Sequence, residues 1–365
     1  MIERPRVLHV LSSLSLHGGA EGIVAELAPL LQSDVDVAVM TMYTPPQLAR
    51  DYPAPVFDVA RSVHDRKGTF FPRMVRMIRG FRPSIVHTHV HNGKYWGRIA
   101  AIAAGVPVIV HTEHNSDFSA RRWVQGLNRV LHARTSRVIA FSRGHAERLA
   151  RAEGVPNAKL AIIPNGVSVR PVAIDRAEAR RRLAAADKPI VLCVGRFGAV
   201  KNQRLAVEAF AASKRLRDGA RLVFAGDGTH EDAVRALARE RAVSDVVRFL
   251  GHRSDVAEIM AAADVLLMTS HNEAMPLVAL EAMHAGLPIV TVPWLGSAEL
   301  FEDGKTALIT GDYAPERVAA ALEEALEDRA CALERARAAR EVALQQYTLS
   351  ACAKRHAELY RSLLE

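Results

Sequence analysis

Short apolar runs alternate with longer amphipathic stretches along nearly the whole chain. In the first half Arg6–Leu11, Val35–Thr41, Ile85–His89, Pro107–His111 and Arg137–Ser142 have the length and β-branched content of buried strands. Between them Glu21–Leu31, Phe70–Phe81, Tyr95–Ala104 and Trp123–Ala133 carry apolar residues at helical spacing. The pattern restarts at Ile190–Gly195 and continues through Arg221–Ala225, Val246–Leu250, Asp264–Thr269, Pro288–Val292 and Ala307–Thr310. Repeated alternation of this kind predicts an α/β chain of two doubly wound, Rossmann-like halves, each a parallel sheet with helices on both faces. Residues 171–187 are charged and Ala-rich with no strand pattern, which predicts a linker. The expected first domain is then 1–170 and the expected second domain 188–349.

Composition narrows the class. At 365 residues the chain is long enough for two domains of about 150–200 residues. Its 49% hydrophobic and 24% charged residues exclude a disordered or fibrous protein. Cys193, Cys331 and Cys352 are too few for a disulfide framework and form no CxxC pair, which fits a reducing compartment. Ile99–Val110, the longest apolar run, has 12 residues and contains Pro107, too short for a membrane span. Glu3, Arg4 and Arg6 ahead of a strand pattern do not read as a signal peptide. The expectation is a cytoplasmic protein.

The net charge of +8 is unevenly placed. Residues 1–170 hold 22 basic against 12 acidic side chains, whereas residues 171–365 hold 26 against 28. The excess therefore belongs to the first half and points to an acidic acceptor or surface as its partner. Arg61–Arg82 interleaves seven bases with Phe70, Phe71, Met74, Met77, Ile78 and Phe81, and Arg121–Arg151 repeats the pattern with Trp123. Such segments suit a helix lying on an anionic membrane, as a peripheral contact on the inner face, and equally an ordinary helix with a solvated Arg face. A nucleic-acid-binding protein is the reading the pI alone would favour, but no nucleic-acid motif is present.

In doubly wound folds ligands sit beyond the carboxyl ends of the strands, so the residues just after each strand carry the chemistry. After the first strand Gly18-Gly19 precedes a helix, where backbone can approach a ligand and helix N–H groups can face an anion. The second half opens with Gly195-Arg196-Phe-Gly198-Ala-Val-Lys201-Asn202. An Arg and a Lys five apart on a glycine-rich turn can neutralise a diphosphate without a metal. Gly226-Asp-Gly228 lacks a third glycine and reads as a turn shaping the same cleft. The fullest signal is His271-Asn-Glu273-Ala-Met275-Pro-Leu277-Val278-Ala-Leu-Glu281. Pro276 suits the first turn of a helix, and Glu281 falls about one and a half turns on, roughly 7 Å along the axis. A helix N-terminus flanked by two carboxylates can hold phosphate on its amides and hydroxyls on its acids. His87, His89 and His91 alternate at one strand end, as metal ligands would, but no acid completes a triad and the expectation is no metal and no cofactor.

Glu273-x7-Glu281, Gly195-Arg196-x4-Lys201 and the Gly18-Gly19 loop together resemble the retaining glycosyltransferases of the GT4 type, two-domain enzymes of the GT-B fold. Val86-His-Thr-His89, Ile163-Pro-Asn-Gly166-Val and the final Tyr347–Tyr360 segment match in the same order. The resemblance implies two Rossmann-like domains facing a deep cleft, with the C-terminal helix, 350–365, packing back on the first. It implies transfer of a sugar from a nucleotide donor, UDP-linked by expectation, to a glycan, a lipid-linked saccharide or another glycoconjugate precursor. Arg196 and Lys201, with Asn202 beside them, would hold the donor diphosphate, Glu281 the ribose, and Glu273 the sugar hydroxyls. Met275, Leu277 and Val278 would line the donor site, the latter two through their N–H groups. His114 would reach the donor sugar, Gly18 and Gly19 would close over it, and Gly251, His252 and Arg253 would border the base. Glu273, His114, Arg196 and Lys201 are the expected catalytic set. Ala274 and Leu295 stand where the family commonly has glycine, which leaves the donor sugar open. Another enzyme of the same fold, such as a UDP-sugar epimerase, would use the same nucleotide site.

Overall fold

The computed structural model describes residues 4–15, 19–59, 69–114, 122–169, 174–183 and 188–365. Its apolar runs form two parallel sheets. The first contains β1 (Arg6–Ser13), β2 (Asp36–Tyr43), β3 (Val56–Asp58), β4 (Ile85–His89), β5 (Val108–Thr112), β6 (Arg137–Ala140) and β7 (Leu160–Ile162), in the order β3-β2-β1-β4-β5-β6-β7. The second contains β8 (Ile190–Val194), β9 (Arg221–Ala225), β10 (Val247–Phe249), β11 (Val265–Met268), β12 (Ile289–Thr291) and β13 (Leu308–Ile309), in the order β10-β9-β8-β11-β12-β13. Every strand anticipated from the apolar runs is present. The two additional strands, β3 and β7, have three residues each and lie at the sheet edges with half-buried or exposed side chains. Such short edges carry no apolar run to read.

Two compact units result, one of residues up to Ser168 together with Thr348–Glu365, the other of Val169–Tyr347. Strands buried on both faces are what make the runs continuously apolar. In the first unit Leu8, Val10, Met40, Val86 and Ile109 pack with Met74 and Ile78 of the helix Phe70–Phe81. In the second, Val191, Leu222, Phe224, Val265 and Leu267 pack with Phe210, Val318 and Leu322.

The C-terminal helix Leu349–Ser362 belongs to the first unit. Its entry is a close backbone crossing, in which Leu349 N–H donates to the Val167 carbonyl over 3.1 Å. A Cβ on Gly166 would stand 2.2 Å from the Thr348 carbonyl oxygen, so only glycine fits there. Residues 176–182, inside the segment expected to be the linker, form a helix capped by Asp175. Ala and Arg favour helix, and the segment is anchored: Arg176 and Arg180 reach the Asp264 carboxylate at 2.6 and 2.9 Å, joined by Arg329 at 3.2 Å. Asp264 also accepts from Ile190 N–H at 2.9 Å, so it ties together the amino ends of β8 and β11. Among the described residues, no helix is long and apolar enough to cross a membrane.

In each sheet the strand order reverses once, between β1 and β4 and between β8 and β11. Those two points are where a doubly wound sheet opens a crevice for ligand.

Candidate functional site

At the reversal in the second unit, β8 runs into the turn of Gly195–Lys201 and β11 runs into the loop 269–276. Lys201 Nζ meets Glu273 Oε1 at 2.5 Å, so the two loops are joined by an ion pair at the crevice. Backbone bonds hold this pair in place. His271 N–H donates to the Val200 carbonyl at 2.8 Å, and Thr269 Oγ1 to the Lys201 carbonyl at 2.9 Å. Gln203, buried in the first turn of the helix Gln203–Ala212, donates to the Arg196 carbonyl at 3.1 Å and closes the turn from inside. Asn202 takes a left-handed conformation, φ 47°, which directs the chain from the Lys201 turn into that helix. Gln203 and Thr269 support the site without any motif to mark them, because their role is to bind backbone oxygens that only the fold brings near.

The ends of β9 and β10 complete the floor. Gly226 N–H donates to the Gly251 carbonyl at 2.8 Å, and Phe197 N–H to the Asp227 carbonyl at 2.7 Å. Gly226 has φ 146°, and a Cβ on it would lie 2.2 Å from the Gly195 carbonyl oxygen. The Gly226-Asp-Gly228 turn is therefore packed directly on the Arg196 turn. Gly251 joins through this backbone bridge, whereas His252 and Arg253 are exposed. The Arg253 guanidinium is forked onto Asp255, with Nε 2.7 Å from Oδ1.

After the loop, Pro276 precedes the helix Leu277–Ala285. No side chain among the described residues caps this helix, and first-turn N–H groups of any helix lack an intrahelical acceptor. Those of Leu277 and Val278 thus head a positive helix end beside Glu273. Ala279, Leu280, Ala282, Met283 and His284 are buried, while Glu281, Leu277, Val278 and Met275 are half-buried. Arg196 is exposed at the turn. The second unit so gathers two cations, two carboxylates and a helix N-terminus at one sheet reversal, a set able to take a phosphate group and a polyol together.

In the first unit Gly19 opens the helix Gly19–Leu30, and Gly18 lies outside the described residues. Glu21, in that helix's first turn, reaches back to β1, accepting from Ser13 N–H at 3.1 Å and Ser13 Oγ at 2.9 Å. His114, just past β5, bonds His89 through Nε2 at 3.2 Å. His87 and His89 point inward as their alternation implies, but His91 does not join them. The strand ends at His89, Val90 turns with φ 48°, and His91 is exposed. In its place stands His9 of β1, and ring nitrogens of His9, His87 and His89 lie within 4.8 Å of one another. Burial keeps these imidazoles neutral: it pulls His9 and His114 down to about 3, and His87 and His89 well below their usual value.

A second polar cluster lies in the first unit. Lys94 Nζ contacts Glu113 Oε2 at 2.6 Å and also pairs with Glu153. Arg98, fully buried, donates from Nε to the Lys94 carbonyl and approaches His132 at 3.3 Å. Burial raises the Glu113 carboxyl, but Lys94 and His111 outweigh it and hold the acid well below its usual value. Nothing in the spacing of Lys94, Glu113 and Glu153 announces this cluster, since 19 and 59 residues separate Lys94 from its two partners.

Comparison with known proteins bears on these sites. Residues 175–345 match the family model described as glycosyl transferases group 1, and residues 17–170 match that of glycosyltransferase family 4. Over 294 residues the chain is 30% identical to a glycogen synthase of Mycobacterium tuberculosis, covering 77% of this chain and 69% of that one. Over 237 residues it is 32% identical to a GDP-mannose-dependent alpha-(1-6)-phosphatidylinositol monomannoside mannosyltransferase of the same organism, covering 61% of each. Among solved structures, Anabaena Alr3699/HepE in complex with UDP and glucose superposes with a TM-score of 0.85 at 22% identity, over 98% of this chain and 100% of that one. At that identity the likeness concerns the fold.

Proposed function

Because the chain belongs to the group 1 glycosyl transferases, with a family 4 first half, and so is a glycosyltransferase using a sugar-nucleotide donor, we propose that it transfers the sugar with retention from a UDP-sugar to a glycan, a lipid-linked saccharide or another glycoconjugate precursor. The observation that carries the reading is the joined Lys201–Glu273 pair beside the helix N-terminus of Leu277–Ala285. Arg196 and Lys201 bind the diphosphate, with Leu277 and Val278 N–H groups adding donors, and Glu281 binds the ribose. Glu273, released from Lys201 when the diphosphate arrives, accepts sugar hydroxyls, and His114 contacts the transferred sugar as the family resemblance implies. In front-face transfer the acceptor oxygen bonds the anomeric carbon as the bond to the diphosphate breaks, and the departing phosphate oxygen takes the acceptor proton. The protein's contribution is then positioning and charge stabilisation of the leaving group. No metal is required, since the two cations balance the diphosphate.

UDP is supported by the UDP-bound structural neighbour, and the GDP-mannose-dependent relative supplies the alternative. Turnover against a panel of UDP-, GDP- and ADP-sugars, with and without a chelator, decides between them. Arg196→Ala and Lys201→Ala each lose a charged contact of ~2 kcal/mol, which slows transfer by more than tenfold. Near-normal turnover in both variants would remove the diphosphate assignment.

A contact between the first unit and an anionic membrane is a second element of the proposal. Its support is the helix Arg122–Arg134, which exposes Trp123 and Val130 at 67% and 65% alongside Arg129 and Arg134. Apolar groups beside Arg suit the headgroup boundary. The protein sediments with vesicles containing anionic lipid at low salt, and Trp123→Ala weakens this. Absence of sedimentation would end the idea.

A further inference from the structure

The buried histidines of the first unit form an unbroken hydrogen-bonded chain that ends at His114. His114 Nε2 meets His89 Nδ1 at 3.2 Å, and His89 Nε2 meets His9 Nδ1 at 2.9 Å. His9 Nε2 faces the Tyr360 hydroxyl at 3.5 Å, the longest link. The hydroxyl meets His87 Nδ1 at 2.5 Å, and His87 Nε2 meets Thr112 Oγ1 at 2.7 Å. Four elements contribute: β1, β4, the end of β5 and the C-terminal helix.

A neutral imidazole carries one ring hydrogen, so it donates from one nitrogen and accepts at the other. His9, His87 and His89 each use both nitrogens within the chain. The tautomer of one ring therefore dictates that of the next. Two orderings satisfy every link and also use the Tyr360 hydroxyl hydrogen. In one, all hydrogens point toward Thr112, His114 carries its hydrogen on Nε2, and His114 Nδ1 is an acceptor. In the other, all point toward His114, and His114 Nδ1–H is a donor. Any other ordering sets two N–H groups or two lone pairs against each other, or has the Tyr360 oxygen accept from both His9 and His87 and leaves its own hydrogen outside the chain, in a dry interior where unmade polar contacts are costly.

We propose that this chain sets the tautomer of His114, and that Tyr360 on the C-terminal helix is a positioning residue for it. The Tyr360 hydroxyl is the joint between the His9–His89–His114 arm and the His87–Thr112 arm. With the joint intact the rings order together, so His114 Nδ1 takes the character that the whole chain takes. This inference rests on the reading that His114 contacts the transferred sugar, for which a donor and an acceptor at Nδ1 are not equivalent. A cation on His9, His87 and His89 would use the same nitrogens and would have to break the chain.

The test uses the full chain with ¹⁵N-labelled histidine, two-bond ¹H–¹⁵N spectra to read ring tautomers, the metal content of the purified protein, and steady-state kinetics. Tyr360→Phe keeps the ring and deletes the joint; Thr112→Val deletes the far end. The wild type shows one His114 tautomer and no stoichiometric metal. In Tyr360→Phe the His114 ring nitrogens shift toward a mixture, and kcat falls by roughly tenfold with the donor KM little changed. Thr112→Val moves the same signals and covers the case in which the tyrosine variant does not fold. Unchanged His114 signals in both variants, or one bound metal per chain, would overturn the proposal. If His114→Ala transfers sugar at the wild-type rate while Tyr360→Phe still moves the His114 signals, the tautomer assignment stands and the sugar contact is what fails.

Discussion

Acidification from pH 7 to 5.5 removes roughly 6 kcal/mol of stability from the first unit, enough to unfold it under mild conditions. Among the histidines at most 5% exposed, five are pulled far down and cause this: His9, His87, His89, His111 and His356. Burial, with a smaller push from His356, pulls His9 down to about 3. Burial pulls His111 and His356 to about 4 and, together with neighbouring histidines, His87 and His89 well below their ordinary value. In the unfolded chain each titrates near 6.5. Above that pH both states are neutral and the histidines contribute no pH dependence. Below it the unfolded chain binds protons that the folded unit refuses, so stability falls with pH until the folded values are reached. Between pH 7 and 5.5 one histidine contributes a little over ~1 kcal/mol, and five contribute about 6. Urea midpoints across pH 7.5–5.5 measure this, and their slope counts the protons taken up. Buried carboxylates cannot imitate it, because Glu113 and Glu153 are held below their usual range and lose their contribution only at lower pH. A midpoint that stays level over this interval would show that the histidines do not titrate in this way.

Replacing Lys94 by methionine costs the first unit about 3–5 kcal/mol. The side chain is largely buried and is the shared partner of Glu113 and Glu153, themselves almost fully buried. Methionine fills similar volume, so the loss is electrostatic. Two carboxylates would remain in a dry site without the ammonium they share, with Arg98, His111, His132 and Asn128 near them. Breaking a buried pair from one side leaves an uncompensated charge, which is why the cost exceeds that of a surface ion pair. Chemical denaturation reads the change, and the double variant Lys94→Met/Glu153→Gln recovers part of it through coupling. A loss below 1 kcal/mol for the single variant would mean that water, not Lys94, neutralises these acids.

Much of the architecture was legible because a strand buried on both faces must be continuously apolar. Val191, Leu222 and Val265 mark β8, β9 and β11 by themselves. Edge strands escaped because Val56–Asp58 and Leu160–Ile162 bury little. The segment read as a linker is partly helix because Asp264, some eighty residues away, offers its arginines a common partner. In the candidate site, Arg196, Lys201, Glu273 and Glu281 could be named from spacing and resemblance, since the first three follow strands and Glu281 lies in the helix that follows the Glu273 loop.

Local pattern thus determined the strands, the helices between them and the residue types placed after each strand, because both periodicity and turn chemistry act over a few neighbours. Tertiary structure decided which of those residues meet. Lys201 pairs with Glu273 because β8 and β11 are adjacent in a sheet whose order reverses there. His9, His89 and Tyr360 share a chain although Tyr360 lies 351 residues from His9. Lys94 finds its acids across 19 and 59 residues. Contacts at such separations depend on strand order and on the packing of the C-terminal helix, and neither leaves a periodic trace in the chain.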